Sequence, residues 1–425
     1  MTSPTVGFTI DRESLEVAPA STAKMSVCGL AGPFATHAPY DDATFTAAFP
    51  LDTPVLINST DAKARMIAPD GQIGRALSLI NAQFADGQTA ALVVLVRTAT
   101  GVDDAATIAA IAGNSTTGTG IWAFKRAGAV CGVYPRLIAV PGWTRQTSLD
   151  GEGALLANPI AAALPALLAS IYAFAYVWTG GVDAATSKAY RETIASGRIQ
   201  PIDTGVVTTL SDGTTVANDD PTPIALGLHV RRDFEKDGRP FSSILNQPIY
   251  GIVGPSRHVD FSLLDGATEG QDLLAHQVSV IIRGESGDDF AIADGGFVFM
   301  GFENCDPEAT WSQTHKVRGR DFIELTAIRT VRQYLGRFNL TTQTCKTIVD
   351  TVDDILAAAE AKGEILGRRV RFDPDLNNTS DLRSGLIWVE AKFEEAPVFR
   401  KLGLVSRPYA IALAKTIETL AAQAI

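Results

Sequence analysis

The sequence predicts a multidomain protein in which an α/β domain is followed by an α+β domain. First, 425 residues are too many for one ordinary domain, and 46% of them are hydrophobic, enough to bury substantial cores. Second, apolar strand-like runs alternate with helical patterns over residues 89–254. Third, this pattern changes after Gly254, so we expect a domain boundary there.

The N-terminal part of the chain is predicted to hold an arm and an entry region. Residues 1–23 alternate only weakly between apolar and polar and keep their charges together, which indicates an extended arm. Residues 24–88 are predicted to be β-rich and begin with a short strand after Lys24. The segment from Gly71 places apolar side chains at helical spacing and predicts a helix.

Residues 89–254 are predicted to form the α/β domain. Ala91–Thr98 and Arg136–Gly142 are apolar runs typical of buried strands, and a helical pattern rich in alanine lies between them. Strands that alternate with helices in this way favour a parallel sheet covered on both faces. A turn at Ser211–Gly213 is predicted to join two strands of a hairpin outside that sheet.

The most hydrophobic segment, Ala154–Trp178, is predicted to be a buried helix that covers the sheet. Its length approaches that of a membrane span, which is the alternative interpretation. Asn158, Pro159 and Pro165 interrupt it, and no cluster of lysines or arginines flanks it. We therefore expect no membrane insertion.

Residues 255–405 are predicted to form an α+β domain with its own apolar faces. Strand patterns on both sides of a glycine-rich turn precede a helix beginning near Asp321. A second amphipathic helix is predicted over Thr344–Leu366, and a strand follows it. Residues 406–425 are rich in alanine and are predicted to be a C-terminal arm.

The charge balance argues against a nucleic-acid binder. Lysine and arginine number 36 and aspartate and glutamate 47, which gives a formal net charge of −11. Nucleic acids and anionic membranes both require a basic surface, so neither is a predicted partner. The N-terminus lacks the charged and apolar regions of a secretory signal, and we expect the protein to be made and folded in a cytoplasm.

No pattern in the sequence indicates a metal or cofactor. The four cysteines lie far apart without a CxxC pair, and the five histidines show no metal-ligand spacing. The loop that begins at Gly113 resembles a phosphate-binding loop, but Thr119 stands where that motif requires lysine. The sequence therefore predicts that the protein is not an enzyme and that it binds no cofactor. A soluble nucleotide-binding α/β enzyme that uses Gly113–Gly120 is the alternative.

Several segments, taken in order, resemble one family of structural proteins. They are TGIWAF from Thr119, VYPRLIAVPGW at Val133–Trp143, HVRRDFEKDGRPFSSILNQPIYGI at His229–Ile252, and the stretch with Trp311, Arg318, Arg320 and Ile323. Within the third, the pattern is carried by Arg232, Asp233, Gly238, Ser243, Asn246, Ile249 and Gly251. The chain resembles the contractile tail sheath family of phages and related contractile particles over most of its length.

This resemblance implies a structural polymer. Sheath subunits stack as hexameric rings around a tail tube, linked by N- and C-terminal arms that add strands to neighbours' sheets, and contract to drive the tube through the target envelope. The resemblance also implies a middle domain of subtilisin-like topology without a catalytic triad. Expected partners are further copies of the chain, the tail tube, the baseplate and the tail terminator, in a virion tail assembled in the host cytoplasm. A non-contractile virion structural protein is a further alternative.

Two sets of candidate site residues follow from the sheath hypothesis. An acidic subunit needs basic side chains where it meets a tube, and the candidates are Arg318, Arg320, Arg329, Arg332 and Arg337. Thiols can become oxidised on particles released from the cell, so some cysteines are candidates for disulfides between subunits. These are Cys28, Cys131, Cys305 and Cys345, with buried free thiols as the competing interpretation.

Overall fold

The computed structural model describes residues 24–84 and 90–423 of the chain. The predicted N-terminal arm, residues 1–23, lies outside the described residues. The first elements along the chain are β1 (Cys28–Gly32), α1 (Asp42–Ala48), β2 (Pro54–Asn58), α2 (Gln72–Ala82), β3 (Leu92–Arg97) and α3 (Asp104–Ala112). One-turn or longer 3₁₀ segments follow β2 at Ala64–Met66 and α3 at Gly120–Arg126.

The next elements complete the main sheet and its helices. They are α4 (Ala127–Cys131), β4 (Leu137–Ala139), β5 (Ser148–Leu149), β6 (Leu155–Leu156), α5 (Pro159–Ile171), β7 (Phe174–Trp178), α6 (Ala184–Glu192) and β8 (Ile199–Ile202). A six-stranded sheet has the order β2-β3-β1-β4-β7-β8. All neighbours are parallel except β2, which is antiparallel to β3 at the edge.

Helices cover both faces of this sheet, as predicted. On one face α2 contributes Ile80 to a buried cluster with Leu30 of the central strand β1. On the other face Ile111 of α3 and Leu167 of α5 belong to one buried cluster with Ile138 of β4. A side chain at Gly29 would place its Cβ 2.8 Å from the Cβ of Pro135, so the central strand needs glycine at this close approach.

The segment Ala154–Trp178 is not the single helix that its composition predicts. Its helix is confined to α5, and β7 follows as a fully buried strand of the main sheet. The Asn158 side chain accepts a hydrogen bond from the Ile160 N–H at 2.9 Å and caps the helix, with Pro159 in its first turn. Tyr172, at a left-handed φ of 52°, ends it. No helix within residues 24–84 and 90–423 has the length and apolar character of a membrane span.

Smaller sheets lie beside the main one. The elements are β9 (Val206–Thr209), β10 (Thr215–Asp219), α7 (Thr222–Glu235), β11 (Gln247–Ile249), β12 (Gly254–Pro255), α8 (Glu269–Ala275), β13 (Val280–Arg283) and β14 (Phe297–Met300). They form three-stranded sheets of order β10-β9-β12 and β11-β14-β13. The predicted hairpin is confirmed as β9 and β10.

The C-terminal elements form a separate apolar cluster. They are α9 (Thr314–Val331), α10 (Thr342–Ala361), β15 (Ile365–Phe372), α11 (Thr379–Ser384), β16 (Val389–Glu395) and α12 (Ala410–Gln423). Phe322 of α9 and Leu356 of α10 are buried together with Met25, near the start of the described chain. The helix predicted through Leu366 ends earlier because Gly363 takes a left-handed φ of 71°, after which β15 begins.

Strand pairing crosses two predicted boundaries. β1 and β2, from the predicted entry region, lie in the main sheet with β3. Likewise β11 pairs with β14, and β12 with β9, across the boundary near Gly254. Strand hydrogen bonds therefore join segments that the sequence assigns to different domains. The predicted division into residues 1–23, 24–88, 89–254, 255–405 and 406–425 stays a prediction.

The buried position of Ile138 gives a test of this core. Ile138→Ala should lower the free energy of unfolding by about 2–5 kcal/mol, because it leaves a cavity between β4 and its covering helices. Leu404→Ala is the control, since Leu404 is 85% exposed; it should change stability by less than about 0.5 kcal/mol. Urea unfolding of both variants measures the difference. Equal losses would contradict the assigned core.

Candidate functional site

A buried ion pair joins helix α9, the first helix of the C-terminal cluster, to α7 beside the main sheet. Arg318 Nη2 lies 2.6 Å from Asp233 Oδ2 of α7, and the two side chains are 1% and 0% exposed. Arg318 also donates to the Met25 carbonyl at 3.2 Å, and Ser26 Oγ donates to Asp233 at 3.0 Å. The pair therefore fixes the point where the described chain begins against both α7 and α9.

A histidine and a tyrosine extend this network into the main sheet. Arg318 Nη1 donates to His229 Nδ1 at 2.8 Å; since arginine can only donate, the His229 proton is on Nε2 and is donated to the Tyr176 hydroxyl. Burial first, and then the Arg318 charge, hold the pKa of His229 well below its usual value. Burial likewise raises the pKa of Tyr176. The network is thus a neutral His–Tyr pair on one buried ion pair.

Two further ion pairs connect the same parts of the molecule. Arg198, just before β8, forms two hydrogen bonds with Asp321 of α9, with Nη2 to Oδ1 at 2.8 Å. Arg239, after α7, makes a two-pronged pair with Glu364 at the start of β15. Arginine matches carboxylates in this forked geometry, which fixes orientation as well as distance. Together these pairs hold α9 and the α10–β15 unit in one arrangement on the sheet.

The five candidate basic residues do not form one surface. Arg318 is buried, and Arg320 makes a forked pair with Glu395 of β16, with Nε to Oε1 at 2.7 Å. Arg318 cannot face a tube in this conformation, which corrects that prediction: a buried cation needs a partner, and Asp233 is that partner. Arg329 is half-buried, whereas Arg332 and Arg337 are exposed. The tube-facing role of the exposed ones stays a prediction.

The four cysteines are free thiols in two environments. Cys28 and Cys305 are buried, and burial raises the pKa of each thiol to about 12. A disulfide from either one to another subunit would require the core to open, so the structure argues against these two candidates. Cys131 and Cys345 are half-buried, and bridges between subunits through them stay a prediction.

The glycine-rich loop after α3 does not form a phosphate cradle. Asp52 Oδ1 accepts the Gly120 N–H at 2.7 Å, so a carboxylate occupies the start of the 3₁₀ segment where a phosphate would bind. The Asn114 side chain closes the turn by accepting the Thr116 N–H at 2.7 Å. Among the described residues, no group of three or more His, Cys, Asp or Glu side chains could hold a metal ion.

One sheet near the C-terminal end of the described chain has both outer edges open. β15 and β16 form a two-stranded antiparallel sheet in which Arg369 lies opposite Lys392. Each strand has one partner in the described chain, so its outer edge presents unpaired backbone groups. The sequence predicts a strand after the second amphipathic helix, but only the pairing reveals two open edges. A run of 23 exposed residues, 401–423, follows.

The chain is held just before that exposed tail. His315 Nε2 contacts the Ala396 carbonyl at 3.1 Å, and the Gln313 side chain accepts the Val398 N–H at 3.2 Å. Arg400 pairs with Glu303 at 3.1 Å. Burial above all, helped by the charges of Lys316 and Arg318, lowers the pKa of His315 to about 4, although the hydrogen bond to the Ala396 carbonyl acts in the opposite direction. The tail thus leaves from a fixed root that includes a neutral buried histidine.

The chain is similar in sequence to phage tail sheath proteins, although no family model matches it. It is 24% identical to the tail sheath protein of Escherichia phage P2 over 367 residues, which is 84% of this chain and 86% of that protein. It is also 24% identical to the major tail sheath protein of Serratia phage KSP20 over 377 residues, 86% of each.

Solved contractile structures share the fold. The helical sheath of the anti-feeding prophage in its contracted state matches with a TM-score of 0.65 and 14% identity, covering 96% of this chain and 99% of that one. A chain of the 6-fold symmetrised baseplate of the same particle matches with a TM-score of 0.64 and 14% identity, covering 96% and 100%. The similarity therefore extends over nearly the whole chain.

The buried ion pair should contribute strongly to stability. Asp233→Asn leaves the Arg318 charge buried beside a neutral group and should lower the free energy of unfolding by about 3–5 kcal/mol. Asp237→Asn makes the same change at an exposed pair with Lys362 and should cost less than about 1 kcal/mol. Chemical denaturation compares the two. A loss at Asp233 as small as that at Asp237 would show that the pair does not hold α9.

Acid should weaken the fold through His315. Its pKa is about 4 when folded and 6.5 in the reference state, so the unfolded chain binds the proton first as pH falls below 6.5. Stability present at pH 7 is thus lost towards pH 4, by about 2 kcal/mol at pH 5 from this group. His315→Gln should flatten the pH dependence of the melting temperature relative to the parent. Identical profiles for the parent and His315→Gln would refute this.

Proposed function

The chain belongs to the contractile tail sheath family, and we propose that it assembles as stacked rings of six subunits around a tail tube. It is a structural subunit of a contractile sheath and not an enzyme. The relatives it matches are tail sheath proteins. One observation carries the proposed assembly: the same chain has an exposed C-terminal tail and a two-stranded sheet whose two outer edges are open.

Open sheet edges are suited to strand addition from another chain. An extended segment can bind such an edge through backbone hydrogen bonds, independently of most side chains. β15 and β16 each offer one such edge, and residues 401–409, beyond the fixed root of the tail, are long enough to supply a strand. In the proposed assembly, the C-terminal arm of one subunit and the N-terminal arm of another add strands to this sheet.

The same arrangement suits a particle that contracts. Backbone pairing at the arms would keep subunits connected while their bodies rotate and slide, because few side-chain contacts have to be preserved. The ion pairs of Arg318, Arg198 and Arg239 keep each body rigid during that movement. Contraction would then release energy held in a metastable extended lattice.

Further parts of the proposal concern partners and location. The six-fold count is supported by the symmetrised baseplate chain that shares this fold. A tail tube, baseplate and tail terminator are the proposed partners, with exposed Arg332 and Arg337 as tube-facing cations. The chain is a component of a virion or phage-tail-like particle, and assembly in the host cytoplasm is proposed. A subtilisin-like topology for the six-stranded domain also belongs to this proposal.

Deleting residues 406–425 should abolish polymerisation while leaving the subunit folded. Every described residue of that segment is exposed, so its loss removes no core contact. The purified full chain should form tubes in negative-stain electron microscopy, and the tubes should shorten and widen after urea or acid treatment. The truncated chain should stay dispersed and melt within a few degrees of the parent.

Val102→Ser is the control, since it changes an apolar residue that is 98% exposed on a different loop. It should polymerise like the parent. A truncated chain that still forms contractile tubes would refute the role assigned to the C-terminal arm. A full chain that never polymerises, even with a tube present, would refute the sheath assembly.

A further inference from the structure

We propose that helix α12 of one copy docks into an apolar groove on the α10–β15 unit of a second copy. This groove, called here the α10 groove, has a volume of about 540 Å³ and is lined by Leu340, Cys345, Lys346, Val349, Phe372 and Leu382. The inference rests on the proposed function, since it identifies the surface to which the C-terminal arm of a neighbouring subunit is anchored.

Helix α12 carries an apolar face that no other described residue covers. Leu413, Ile417 and Leu420 follow the i, i+4, i+7 spacing of one helical face and are 68%, 62% and 60% exposed. Lys415 and Ala422 lie on the opposite side of the helix. In water an isolated amphipathic helix of 14 residues is marginal, so α12 needs a surface to pack on.

The α10 groove has the complementary chemistry. Its lining is mainly apolar, and Phe372 and Leu382 are 37% and 36% exposed at its rim. The groove runs beside the start of α10 and the end of β15. An amphipathic helix laid in a hydrophobic groove is one of the recurrent modes of peptide recognition.

Charge also matches between the tail and the α10 surface. The segment 396–409, which leads to α12, contains Arg400, Lys401 and Arg407 and no acidic residue. α10 presents the exposed carboxylates of Asp350 and Asp354 on the turns that follow the groove residues Lys346 and Val349. The basic linker and the acidic helix would align the tail.

The direction of the tail favours a second copy over the same chain. Val389 of β16 lies opposite Phe372, at the groove end of β15, and Glu395 lies opposite Ile365 at the far end. The contacts of Val398 with Gln313 and of Arg400 with Glu303 then carry the tail onward from that far end. Reaching its own groove would require the tail to reverse, whereas the groove of a neighbour requires no reversal.

The α10 groove and the apolar face of α12 are complementary but do not easily meet within one chain. Between two copies they form a head-to-tail contact. Contacts of this kind build rings or open helical polymers when they repeat. The docked helix would therefore act as an anchor behind the strand pairing proposed for residues 401–409. It gives the link between subunits a side-chain specificity that backbone pairing alone does not provide.

Cysteine cross-linking tests this contact in the full chain. Cys345 in the α10 groove is retained, Cys131 is changed to serine, and single variants Leu413→Cys, Ile417→Cys and Leu420→Cys are made on the apolar face of α12. Ala422→Cys on the opposite face is the matched control. Isotopically heavy and light chains are mixed, assembled and treated with a thiol-specific oxidant, and cross-linked peptides are identified by mass spectrometry.

At least one apolar-face variant should yield roughly ten times as much heavy–light disulfide to Cys345 as Ala422→Cys, because cysteines bridge only when their Cα atoms lie within about 7 Å. Replacing Cys345 by serine should abolish this product. Cross-links confined to single chains, or equal yields at both faces, would overturn docking on a second copy.

Electron microscopy of the same samples separates this proposal from the proposed function. Contractile tubes without the Cys345 cross-link would overturn the docking and leave the sheath assembly intact. Heavy–light cross-links in samples that form no tubes would support the docking and count against the sheath assembly. Samples with neither would overturn both.

Discussion

The arrangement of this subunit depends on the buried pair between Arg318 and Asp233. A charged side chain at 1% exposure is tolerated only with a partner of opposite charge and satisfied hydrogen bonds. The pair therefore stabilises the register of α9 on α7 that brings these two groups together. Because Met25 and Ser26 bind the same pair, the point at which the N-terminal segment enters the body is fixed by the same constraint.

That constraint separates the molecule into a rigid interior and adaptable extremities. Forked arginine–carboxylate pairs, such as Arg198 with Asp321, hold the domains in defined orientations. The two-stranded sheet and the tail instead present backbone groups and apolar side chains to the outside. Rigid bodies with adaptable links are what a sheath needs, since each subunit must keep its shape while its position relative to its neighbours changes.

Local patterns were sufficient to predict much of the fold, but not the contacts between distant residues. The buried strands and the hairpin follow from period and turn residues, which act over a few positions. Ala154–Trp178 was misread because an apolar run fits a buried helix or strand equally well. Asn158 before a proline marked the cap, and the aromatic run at Phe174 marked the strand. Arg318 was misread as exposed, although Phe322 lies one turn away on a buried face; its partner lies 85 residues earlier in the chain.

The exposed apolar side chains of the tail, residues 401–423, are unusual for a protein that remains a single subunit. Exposed apolar side chains such as Leu404 and Ile417 weaken solubility, and isolated proteins rarely expose so many in a row. Their exposure is consistent with a chain whose final state is a polymer, in which another copy covers them. A link through a tethered tail would also differ from a flat interface. Its root is fixed by His315 and Glu303, and the length beyond that root would let the bodies of two subunits approach or separate. Such a tether keeps contact through a change of lattice that would break a rigid interface of the same area.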